Sequence, residues 1–189
     1  MSGLGGVRAC AQATTYEIAE ESQANYRVTE QLAGIAAPND AVGTTYDVEG
    51  AVHLDERGNV LDQSSIRVGL ASLQSDQSRR DNFLGRSVLA TDDFPDAVLV
   101  PTEIIGLAFP LPVSGTATFE IVGDLTIRDV TRSTVWQAVA TFEGDVIRLA
   151  VSTSFTFEEF GLQRPRVAVV LSVADDIRLE ASLVLHLVE

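Results

Sequence analysis

The chain has no lysine: its 13 basic residues are all arginine, set against 27 carboxylates, for a formal net charge of -14 over 189 residues. A surface of that sign repels nucleic acid and anionic headgroups at long range, which argues against DNA or RNA as partners. Solubility is reason enough for the charge, and the arginine bias by itself carries no function. Cysteine occurs once, at Cys10, so no intrachain disulfide can form. Histidine occurs twice, at His53 and His186. A metal centre needs three or four converging ligands, and a serine triad needs a base beside its nucleophile. Both histidines fall out of phase with the apolar faces of their strands and are expected to face outward, so neither metal nor cofactor nor catalysis is expected. No apolar run reaches the roughly 20 residues of a membrane-spanning helix. There is no internal repeat, no low-complexity segment and no phosphate-binding loop; Gly3-Leu4-Gly5-Gly6 has no strand before it.

What remains suits one domain with a sizeable core, at 46% hydrophobic and only 21% charged residues. Residues 1–14 read as a flexible tail. Ala11-Gln12-Ala13 has the small-x-small form of a signal-peptidase site, yet no apolar stretch precedes Cys10. The tail is either the remnant of an export signal or a chance pattern. Residues 15–189 read as the folded domain.

That domain alternates apolar and polar residues almost throughout, the mark of antiparallel sheet with one face buried. Strands are expected at Thr15 to Ala19 and Ala24 to Leu32, the latter with Tyr26, Val28 and Leu32 on one face. Val42 to Leu54 reads as one long strand with Val42, Thr44, Tyr46, Val48, Gly50, Val52 and Leu54 together. Val60 to Leu73 returns, with Ile66, Val68 and Leu70 on one side. Ser75 to Ala90 is the one convincing helix, capped by Ser75 or Asp76 and stopped before Phe94-Pro95. Further strands follow at Ala97 to Glu103, Ala117 to Ile127, Ser133 to Phe142, Val146 to Phe157 and Arg178 to Val188. About eight long strands joined by short turns suit a closed all-β barrel, which has no exposed edge. A barrel of that size holds packed side chains or one small ligand.

The inward phases mix large residues with small ones. Tyr26, Tyr46, Val48, Phe119, Trp136, Leu149, Phe155 and Leu185 are expected to point inside. Ala117, Thr134, Ala138, Ala140, Ala181 and Gly50 leave volume between them. Paired carboxylates at Glu20-Glu21, Asp92-Asp93, Glu158-Glu159 and Asp175-Asp176 sit in turns or at element ends. Neighbours on a strand point to opposite faces, so these pairs read as solvated turns. Arg80, which opens the helix after a long strand, has two readings. It holds an anionic headgroup by paired N–H bonds, or it forms a structural clamp with Asp81.

Several segments, in order, resemble the YceI-like family. They are Tyr16-Glu17-Ile18-Ala19, then Arg80-Asp81-Asn82-Phe83-Leu84 leading to Phe94-Pro95, then Gly123-Asp124-Leu125-Thr126 with Val130-Thr131. Phe160-Gly161-Leu162 and Leu183-Val184-Leu185-His186-Leu187 complete the set. The resemblance implies a lipocalin-like antiparallel barrel, an export signal and hence a periplasmic or extracellular site, and a bound amphiphile, typically a polyisoprenoid. On this reading the protein carries or stores an isoprenoid or fatty-acid-like lipid and catalyses nothing; it leaves room for a homodimer. The alternative is a filled barrel acting as an extracellular structural or protein-interaction module. Interior volume separates the two.

Overall fold

A computed structural model describes residues 13–32, 37–165 and 170–188. Most of the predicted tail lies outside the described residues. Ten strands form one antiparallel sheet that closes on itself. They are β1 (Thr14–Ile18), β2 (Gln23–Leu32), β3 (Asn39–Thr45), β4 (Val48–Leu54) and β5 (Ser65–Gly69), followed by β6 (Asp96–Ile105), β7 (Ser114–Ile127), β8 (Val130–Glu143), β9 (Val146–Thr156) and β10 (Val170–Val188). The ring runs β1, β4, β5, β6, β7, β8, β9, β10, and β1 pairs back onto β10. β1 and β2 lie end to end along β10: Ile18 opposes Leu185, and Gln23 opposes Ser182. β3 and β4 likewise lie end to end along β2 and β1. The barrel is therefore an eight-stranded ring with β2 and β3 as two added lengths.

Each break is held by a buried hydroxyl that supplies bonds the ladder lacks there. Ser22 Oγ accepts the Val184 N–H at 3.0 Å and donates to the Val184 carbonyl at 3.4 Å. Thr45 Oγ1 accepts the Asp47 N–H at 3.0 Å and shares a 2.6 Å bond with Ser72 Oγ. The second break corrects the expectation of one strand from Val42 to Leu54. Ala41, Gly43 and Thr45 are the buried residues of β3, whereas Val48 and Leu54 are those of β4. The two residues between the strands shift the phase, so Val42, Thr44 and Tyr46 do not share the inward face of Val48. Two glycines answer close approaches. A Cβ at Gly43 would sit 2.1 Å from the Tyr26 ring, and one at Gly50 would sit 2.1 Å from the Ser65 carbonyl oxygen.

Other boundaries differ from expectation as well. β5 is short because Ser64, fully buried, turns the chain and accepts the His53 N–H on Oγ at 2.9 Å. β10 begins at Val170, well before Arg178, because its first half pairs with β2. The expected single helix is α1 (Ser78–Phe83) continued by a π-helical turn, Leu84–Leu89. Gln77 holds the N-cap position without a side-chain bond. Ser75 instead binds Asp81, and Asp76 binds Arg80. The segment ends at Ala90, in the left-handed region at φ 51°. Val88 and Leu89 are buried against the barrel, with Leu84 packed beside them.

On the outer wall Arg67 of β5 joins the starts of β4 and β6. Its Nε bonds Glu49 at 2.7 Å, one Nη bonds Asp47 at 2.6 Å, and the other bonds Asp96. Glu49 foremost, then Asp47 and Asp96, hold the guanidinium above its ordinary value. Arg67 in turn holds the Glu49 carboxyl below its own. A carboxyl lowered by folding stabilises above its unfolded pKa, and that stability is lost as pH falls through the lowered value. Arg67→Ala removes the contribution and leaves three carboxylates facing one another. The thermal midpoint of the variant should fall below wild type at neutral pH, and the gap should narrow near about pH 3, where carboxylates protonate. A gap that stays constant across that range would mean Arg67 acts by packing alone.

Candidate functional site

The barrel encloses a cavity of about 890 Å³, lined almost throughout by aliphatic and aromatic side chains. That volume lies toward the upper end of the range for sites that bury a small organic ligand. It exists because β10, β8, β6 and β3 present Ala181, Ala140, Ala97 and Ala41 inward between larger neighbours. Several inward residues, among them Ala181, Leu149 and Ile121, are only half-buried although they point away from solvent. Their remaining accessible surface faces the void.

The residues predicted to point inside divide as follows. Tyr26, Val48, Phe119, Trp136, Leu149, Phe155 and Leu185 line the cavity, as does Arg80 at its edge. Trp136 is 6% exposed, and its indole N–H donates to Thr134 Oγ1 at 2.9 Å, which satisfies its one polar group. Tyr46 does not line the cavity: it is 67% exposed, carried outward by the break after β3. The histidines lie on the outer wall. His53 Nδ1 shares a 2.9 Å bond with Thr15 Oγ1, and His186 is exposed. No group of three or more metal-ligating side chains converges among the described residues.

At one end Leu107 and Leu111 of the β6–β7 connection line the cavity and pack on the core. The polar lining residues, Asn25 of β2 apart, gather at the other. Glu30 and Asn39 come from β2 and β3; Asp76, Gln77, Arg79 and Arg80 come from the start of α1, with Phe83 beside them. Asn39, Asp76, Arg79 and Phe83 are all exposed, so among the described residues this is where the cavity reaches the surface.

Glu30 is the site residue that the sequence reading missed. It shares the phase of Tyr26 and Val28, and that spacing of two was the available signal. It is only 7% exposed, and its Oε1 accepts from Arg80 Nη2 at 2.6 Å. Arg80 also binds the Asp76 carboxylate and reaches Ser75 Oγ at 3.3 Å. Burial works against the Arg80 charge, yet Asp76 and Glu30 together hold its pKa above the ordinary value. The expected Arg80–Asp81 clamp is thus replaced by an Arg80–Glu30–Asp76 cluster, while Asp81 accepts the Ser75 N–H at 3.0 Å and the Ser75 hydroxyl at 2.6 Å. Burial pushes the Tyr26 phenol up, with Arg80 pulling the other way, so the ring stays neutral below it.

A closed antiparallel barrel with an apolar interior, open at one end beside a short helix, defines a lipocalin-like architecture. The chain belongs to the YceI-like domain family, whose model matches residues 16–185. No curated protein sequence matches it. Among solved structures it is similar to a polyisoprenoid binding domain from Saccharophagus degradans implicated in plant cell wall breakdown. There the TM-score is 0.67 at 12% identity, covering 90% of this chain and 97% of that one. It is also similar to Burkholderia cenocepacia BcnA, with a TM-score of 0.66 at 15% identity over 88% of this chain and 98% of that one. The Campylobacter jejuni YceI protein gives 0.58 at 18% identity, over 76% and 82%. At these identities the likeness is one of fold.

Proposed function

We propose that this chain binds one long apolar or amphiphilic molecule, an isoprenoid or fatty-acid-like lipid, inside the barrel, and carries or stores it without transforming it. The observation behind this is the cavity: about 890 Å³ of space lined by apolar side chains, with charged residues where Arg80 and Glu30 meet. A filled barrel serving as an interaction module has no use for such a void. The polyisoprenoid named for the Saccharophagus degradans domain is in keeping with the same shape. So is the family, and a periplasmic or extracellular site goes with this reading. No described helix is long and apolar enough to cross a membrane.

The driving force is transfer of the tail out of water, about 0.8 kcal/mol per methylene. A tail of about fifteen carbons therefore grosses about 12 kcal/mol, less the cost of ordering the ligand and the loss of its free motion. The remainder supports micromolar or tighter binding.

Trp136 is a built-in reporter, being the only tryptophan and a lining residue. Titration with farnesol should change its emission saturably, at one ligand per chain. An emission spectrum indifferent to prenyl alcohols and fatty acids of every length would leave the filled-barrel reading in place.

A further inference from the structure

The open end of the cavity carries more charge than the burial of a tail requires. Resting on the reading that an apolar tail fills the barrel, we propose that, between prenyl ligands sharing one tail, this site accepts an uncharged head, an alcohol or a carbonyl, and turns a phosphate head away.

Glu30 is the reason. Its carboxylate is buried in the cavity wall and is held by Arg80 at 2.6 Å. The other arm of Arg80 is on Asp76. An arginine between two carboxylates has no net positive charge left to offer. To use it, a phosphate must displace Glu30 or Asp76. Displacing Glu30 strands a buried carboxylate without its partner, which is costly. Leaving the pair intact sets the phosphate against Glu30 with no counter-charge, which is costly as well.

Arg79 does not change this balance. It lines the opening, and no described carboxylate pairs with it, but it is exposed and its charge is hydrated and screened. Glu30 and Asp76 cancel Arg79 and Arg80 among the lining residues of the opening, and Tyr26, which lines the cavity, also feels the negative charge of Asp81. The chain as a whole, at -14, adds repulsion of the same sign. An uncharged head escapes all of this. A hydroxyl can donate to the Glu30 lone pairs that Arg80 leaves free, and a carbonyl can accept an N–H that Arg80 does not use.

The test compares farnesol with farnesyl pyrophosphate, which share a tail and differ in the head. Both are titrated into the full chain by calorimetry, with Trp136 emission as a second readout. Farnesol should bind about tenfold tighter or more at low ionic strength, and the preference should narrow at about 0.5 M salt. Glu30→Gln raises the local charge by one and frees Arg80. In that variant the ratio of pyrophosphate to farnesol affinity should rise about tenfold over wild type.

Wild-type protein that binds the pyrophosphate as tightly as the alcohol overturns the proposal. So does a folded Glu30→Gln variant in which the ratio of pyrophosphate to farnesol affinity does not rise. If that variant does not fold, the salt series on wild type decides, and a preference indifferent to salt overturns the electrostatic cause. Failure of both ligands to bind removes the carrier reading, and this inference with it. Binding of the pyrophosphate alone removes only this inference.

Discussion

Ala181→Phe should abolish tail binding without unfolding the barrel. Ala181 lies on the inward face of β10 between Leu179 and Leu183, and its methyl borders the cavity. A phenyl group there enters empty space, so it displaces ligand before it meets protein. Overpacking strains a core only where the core is already full, and the void gives the ring room. The ring also removes apolar surface from the cavity wall, which stabilises the empty barrel. Affinity for a prenyl alcohol should fall about a hundredfold or more, equivalent to losing the burial of about three to four methylenes or more. The thermal midpoint of the free protein should hold or rise. A midpoint that falls sharply, with affinity intact, would mean that the space beside Ala181 is filled.

Phe160→Ala should act in the opposite sense, unfolding the barrel at lower denaturant. Phe160 is 1% exposed, and its ring meets that of Phe155 at 4.4 Å with the planes tilted by 53°. It belongs to a short 3-10 turn, Glu158–Phe160, and Gly161 follows it at φ 61°, a left-handed conformation that favours glycine. The turn therefore drives one aromatic side chain into the end of the barrel. Truncating a buried phenylalanine costs about 3–5 kcal/mol. A denaturation midpoint should register that loss with little change in slope. Because Phe155 lines the cavity, losing its partner should also loosen the wall and weaken tail binding to a lesser degree. A loss under about 1 kcal/mol would show that the site collapses freely around the missing ring.

The two substitutions also mark how far the sequence could be read. The long strands β7 to β9 and the second half of β10, past its register shifts, carry uninterrupted alternation, so the inward placement of Phe119, Trp136, Leu149, Phe155 and Leu185 follows from period alone. Tyr46 was misplaced for the same reason that these were placed correctly. Alternation predicts a face only while the strand is unbroken, and the shift between Thr45 and Val48 reverses the phase. The anchor of that break is the side chain of Thr45, bonded to Ser72 on a distant loop. Nothing local in the sequence announces such a bond. The π-helical turn after Phe83 was hidden in the same way, because its apolar residues are consistent with an ordinary helix.

Glu30 is the instructive miss. It shares the phase of Tyr26 and Val28, yet an unpaired carboxylate belongs at the surface. The partner that makes burial tolerable, Arg80, lies 50 residues further along. Only the fold brings a helix start against β2. Arg80 was singled out because it opens the helix, and the structure keeps it at the edge of the cavity. What the sequence could not supply is the pair of carboxylates already occupying it. The apolar site was thus legible from periodicity, whereas the polar end depends on contacts between distant segments.

Native mass spectrometry of the protein purified from its own host tests the central claim most directly. Gentle ionisation should give the chain plus a single organic adduct. Denaturing conditions should release that adduct as a lipid-soluble molecule with a long apolar tail. Protein stripped of it should take up one farnesol per chain. A bare mass from the host, together with no adduct after exposure to prenyl alcohols and fatty acids, would contradict the account and leave the barrel without a carrier role.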